Sequence, residues 1–112
     1  MQKRILKNGL TILFDKSVDN LPNSLINLTL GYYFNQSIIK LPNSVKYLSF
    51  WSHYTFKNNI PKFIETLELF FNNDGTFIDN IPLNIKKIII HNELNKKYLQ
   101  KIPFGCIVEI IK

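Results

Sequence analysis

The chain reads as a leucine-rich-repeat-like solenoid: short parallel β-strands stacked on one another and joined by irregular or short helical return loops. Three observations carry that reading. The five prolines, Pro22, Pro42, Pro61, Pro82 and Pro103, are spaced 20, 19, 21 and 21 residues apart, and each follows Leu or Ile. After four of them an apolar residue recurs at three, six and eight positions on. These are Leu25, Leu28, Leu30; Val45, Leu48, Phe50; Ile64, Leu67, Leu69; and Ile85, Ile88, Ile90. A period near 20 with a fixed apolar beat marks a repeat that buries its face only against its neighbours. Composition agrees, because alanine is absent while Ile, Phe, Tyr and Thr abound, which favours strands over helices.

Length and pattern predict one repeat domain over 1–112, with a cap at 1–14 and four to five repeats of 19–21 residues from 14 to 111. In the cap, Lys7-Asn8-Gly9-Leu10 suits a hairpin turn between Arg4–Leu6 and Leu10–Leu13. Each proline is expected to open an extended segment, since it fixes φ and has no N–H to lend a ladder. The last two positions of each beat are two apart and therefore share one side of a strand. An anchor recurs four residues before most prolines, at Val18, Ile38, Ile78 and Leu99, with Phe56 serving the shorter third unit. The return loops, about ten residues long, leave room for irregular loop or a turn of helix, not a long one. His91-Asn92-Glu93-Leu94 through Lys101 is expected to hold one, with Leu94 and Tyr98 facing together. In the fifth unit Cys106 keeps the beat, but Glu109 falls on an apolar slot, as expected of a terminal cap.

The chemistry of the chain argues against an enzyme. His53 and His91 have no cysteine or carboxylate at metal-ligand spacing, and four scattered glycines cannot cradle a phosphate. Cys106 sits on the beat and reads as a structural thiol. Glu65, Glu68, Asp74 and Asp79 read as solvated surface rather than a catalytic pair. No catalytic residue, metal or cofactor is expected. No apolar run is long enough to span a bilayer, and the start of the chain lacks a signal-peptide cleavage pattern. With a lone cysteine, this points to a cytoplasmic, reducing setting.

Between the buried beats lie the residues that should face outward. Position nine after the proline reads Gly31, Trp51, Phe70, His91; position five reads Asn27, Tyr47, Thr66, Lys87; position seven reads Thr29, Ser49, Glu68, Ile89. Large aromatics held on a sheet surface mark an interaction face. The candidate partner-binding residues are thus Trp51 and Phe70 as apolar anchors, Tyr47 and His91 as hydrogen-bonding groups, and Glu68 and Lys87 as charges that reject wrong partners. The competing structural reading has the aromatics curl over the sheet rim and pack on the return loops. A net charge of +6 raises weak nucleic-acid binding as an alternative. Against it, 13 of the 14 cations are lysine rather than the bidentate arginine that reads bases, and neither half of the chain is strongly polarised. A structural repeat protein without a specific partner is the third alternative. Terminal strands would offer edges for self-association.

The stretch Leu30-Gly31-Tyr32-Tyr33-Phe34-Asn35-Gln36-Ser37-Ile38-Ile39-Lys40-Leu41-Pro42-Asn43-Ser44-Val45 resembles the FNIP repeat, a relative of the leucine-rich repeat. Its pattern is Gly, Phe-Asn, Ile, then Leu-Pro and the apolar beat. Later units keep Ile-Pro and the beat but carry His53 and Asp74 where the Phe-Asn pair would stand. The resemblance spans roughly residues 10 to 111 and implies a solenoid used for protein recognition. In amoebae and the viruses that infect them such repeats are often joined to an F-box, which implies substrate recognition for ubiquitin ligases. No helical F-box-like segment precedes the repeats here, so the expectation is an interaction module by itself.

Overall fold

A computed structural model describes residues 9–12, 17–31, 34, 37–51, 60–70 and 81–111. Six short strands form one parallel sheet in sequence order: β1 (Gly9–Ile12), β2 (Asn27–Leu30), β3 (Tyr47–Trp51), β4 (Thr66–Phe70), β5 (Lys87–Ile90) and β6 (Ile107–Ile110). The strands align position for position, with Leu28 beside Leu48, Leu48 beside Leu67, and Leu67 beside Ile88. The chain is therefore a stacked-strand solenoid, one rung per repeat. All twelve beat residues are buried, and Val18, Ile38 and Leu99 join them in the same core. At about 1.5–3 kcal/mol for each fully buried side chain, these columns are the main source of cohesion. The anchors Ile78 and Phe56 lie outside the described residues.

The prolines begin turns rather than strands. In each unit the proline carbonyl accepts the N–H of the third residue on, from Leu25, Val45, Ile64, Ile85 and Cys106, at 3.1–3.2 Å. The first position of a β-turn supplies only a carbonyl, so the missing proline N–H is no loss there. In β2 to β5 the strand starts five residues after the proline. The extra residue before it is absorbed by a shared acceptor: Lys46 and Tyr47 N–H both donate to the Ile26 carbonyl, Glu65 and Thr66 to Lys46, and Lys86 and Lys87 to Glu65.

That device explains the fifth unit, where the expectation of a Glu109 in an apolar slot is corrected. Ile107 N–H alone donates to Lys86, and β6 starts four residues after Pro103. One residue is absent, so Val108 and Ile110 take the inward places beside Ile88 and Ile90, while Glu109 lies beside Ile89 on the outer face. Gly105 sits at φ 84 in this turn. That is the left-handed conformation a type II turn requires at its third position, and it lets the shortened loop close.

The ends also differ from expectation. Gly9 opens a strand parallel to β2 instead of a hairpin turn, so the rungs begin inside the expected cap; the supposed partner Arg4–Leu6 lies outside the described residues. The expected helix is a 3-10 helix, Glu93–Tyr98, capped by Asn92, whose Oδ1 accepts the Leu94 N–H at 2.9 Å. Leu94 is 75% exposed and does not pack; the Tyr98 side chain lies outside the described residues. It is Leu99 that enters the core. Among the described residues no helix is long and apolar enough to cross a membrane.

Candidate functional site

The outward residues of β3, β4 and β5 converge on one cluster. Glu68 stands at the middle of β4, between Ser49 of β3 and Ile89 of β5. Its side chain is only 4% exposed, although it belongs to the outer face. The reading of Glu68 as a solvated charge is therefore corrected. A carboxylate is costly to bury without partners, and neighbouring rungs supply them. The Tyr47 hydroxyl donates to Oε1, and His91 Nε2 lies 2.7 Å from Oε2. An ionised carboxylate only accepts, so the bond to Oε2 is donated by His91 Nε2–H. Glu68 cannot screen partners as a free surface charge; it holds Tyr47 and His91 in place.

The aromatic row runs across the strand ends beside this cluster. Phe70 and His91 stack at 4.0 Å between ring centres with planes 15° apart, and Trp51 meets Phe70 edge-on at 6.1 Å and 69°. Both geometries are favoured for aromatic pairs. Trp51, Phe70 and Tyr47 are half-buried, and the His91 side chain is 28% exposed. The rings thus lie between the two sequence readings, packed on one another and partly exposed. Parallel register is what assembles the row, because Trp51 pairs with Phe70 in the ladder and His91 follows Ile90 at the same height.

Lys87 stands apart from this cluster. It pairs with Glu109 of the next rung at 2.5 Å, both side chains about 40% exposed. Lys86 reaches Glu65 at 3.5 Å and Lys46 lies over the Phe63 ring at 5.8 Å. Lys86 and Lys87 are therefore divided between carboxylate partners on the two flanking rungs. Ser49 and Ile89, expected to face outward, flank Glu68 in the ladder and are buried, which sequence reasoning missed. Their signal was their small or apolar character on either side of Glu68. Among the described residues no group of His, Cys, Asp or Glu could hold a metal ion.

A one-strand-per-repeat parallel sheet with a patterned outer face defines the chain as a repeat solenoid. Residues 14–53 match the family model described as FNIP Repeat, as the resemblance of residues 30–45 leads one to expect. No curated protein and no solved structure matches the chain.

Proposed function

We propose that the chain is a non-enzymatic protein-recognition module that docks its partner on the outer face of the sheet, at the row Trp51, Phe70 and His91. The observation that carries this reading is the buried Glu68, which binds Tyr47 and His91 from the two flanking rungs. Such a brace fixes the rings before a partner arrives, and a preorganised aromatic surface loses little side-chain freedom on binding. A purely structural sheet face would need neither a buried carboxylate nor the ring stack. The lone Cys106 suits an intracellular, reducing setting. Dispersal of Lys86 and Lys87 among carboxylates disfavours a phosphate-binding track.

The test is affinity capture with the wild-type chain and a Trp51→Ser/Phe70→Ser variant, with and without nuclease. Circular dichroism would first establish that the variant keeps its sheet. The expected result is a protein retained by the wild type, lost by the variant and indifferent to nuclease. Material that disappears with nuclease but ignores the rings, or a variant that unfolds, would overturn the reading.

A further inference from the structure

The proline turns stand side by side along one rim of the sheet, because the strands they lead into run in register. In each, the residue directly after the proline takes the second position of the turn, at its tip. That slot holds Asn23, Asn43, Lys62, Leu83 and Phe104, and every one of them is exposed. The exposure belongs to the turn and not to the end of the stack, since Leu83 has rungs on both sides and is still 88% exposed. Phe104 is wholly exposed. Neither burial nor turn chemistry accounts for large apolar side chains here; the first two turns fill the slot with asparagine, which β-turns favour. Cations flank the apolar tips. Lys62 holds the same slot one rung earlier and Lys101 lies two residues before Pro103, both exposed. Lys86 follows Leu83 by three residues and offsets Glu65 of the preceding rung. Over residues 60–65, 81–86 and 101–106 the charges are thus three lysines and one glutamate, a net +2.

We propose that this rim docks on an anionic lipid surface, with Leu83 and Phe104 entering the interfacial zone while Lys62, Lys86 and Lys101 lie at its phosphates. Two features select a lipid surface over a protein. A side chain that anchors a protein interface sits in a packed pocket ringed by other contacts. Leu83 and Phe104 instead stand free at the crests of their turns, with little of their own chain around them. A fluid acyl layer needs no matching pocket and takes up isolated apolar groups of this kind. The charges also complement it, because lysine ammonium groups on long stems reach phosphate while apolar neighbours insert, and the chain carries +6 overall. Bound this way the chain lies on the bilayer and does not span it. Trp51 and Phe70 end β3 and β4, whereas the turns precede their strands, so this rim and the outer-face row do not overlap.

The whole chain is sedimented with vesicles of phosphatidylcholine alone and of equal parts phosphatidylcholine and phosphatidylserine. Binding is expected to the anionic vesicles only, and should weaken as salt rises. Leu83→Asn/Phe104→Asn gives both tips the residue that the first two turns already carry, so the sheet should persist by circular dichroism. Its affinity should fall by at least about tenfold. Lys62→Asn/Lys101→Asn should also weaken binding. Insertion is read separately in Leu83→Trp combined with Trp51→Phe, whose emission should move to the blue on anionic vesicles. Sedimentation with neither vesicle would overturn the proposal. So would equal binding by the wild type and the asparagine-tip variant, or unshifted emission, either of which marks adsorption through lysine alone. If the tip variant loses a captured protein while vesicle binding is unchanged, the rim docks protein and the proposal fails. The Trp51→Ser/Phe70→Ser variant should bind vesicles as the wild type does, which separates this rim from the outer-face site.

Discussion

Glu68 and Glu109 occupy the same outer column of the sheet, yet their side chains are 4% and 42% exposed. The inward column repeats the contrast. Ile88 and Ile90 of β5 are fully buried, while Val108 and Ile110 of β6 are only half covered. The residue types are alike; the number of neighbouring rungs differs. In a solenoid each rung is completed by the next, so burial is a property of position in the stack rather than of the repeat. The middle rungs can therefore support a buried carboxylate with two partners, and the last rung cannot.

The sharpest way to break this contrast is to put a charge in each place. Leu48→Asp buries an unpaired carboxylate between two rungs and should destabilise by about 3–5 kcal/mol, enough to unfold the domain. Val108→Asp, at the half-covered rung, should leave a folded chain with a lowered melting temperature. Equal losses in thermal unfolding would show that the end rung is as closed as the middle.

A smaller effect is expected on the outer column. Glu68→Ala strips a partner from both Tyr47 and His91 and should cost about 1–3 kcal/mol, whereas Glu109→Ala breaks an exposed ion pair worth about 0–1 kcal/mol. Urea unfolding of the two variants measures the difference. Smaller still is the turn: Gly105→Ala meets no steric obstacle but must hold φ 84, and should cost about 1 kcal/mol. A Ser44→Ala change in the equivalent turn should not carry that backbone strain.

The smallest effect concerns Cys106, whose thiol is pushed above its ordinary range by burial. Its folded-state pKa thus exceeds the unfolded one. The stabilisation is complete below the unfolded value and is lost as pH rises through the folded one. Unfolding free energy should therefore sag slightly at alkaline pH in the wild type, and less in Cys106→Ser. Alkylation at neutral pH should run more slowly than for an unhindered thiol.

Much of this architecture is legible in the linear pattern. Pro42, Val45, Leu48 and Phe50 announce a rung because parallel stacking places identical offsets in register, so periodicity in the chain becomes columns in space. The alternation about Tyr47, Ser49 and Trp51 assigns an outer face for the same reason. The fifth unit was harder. Counting from Pro103 assigns Glu109 inward, because the strand offset is set by a shared backbone acceptor that no side chain records. The short helix after His91 was legible but its 3-10 form was not, since Leu94 and Tyr98 have α-helical spacing.

The sequence by itself determined the rung, its inward columns and which residues could form an outer row, because each follows from local periodicity and a repeat that meets copies of itself. Tertiary structure alone decided that Glu68 is buried and braced while Glu109 is not, and that among the described residues β6 has a rung on one side only. Those outcomes depend on what lies on the adjacent rungs, some twenty residues away along the chain, where hydrogen-bond partners and solvent cover are set by register and not by neighbours in sequence.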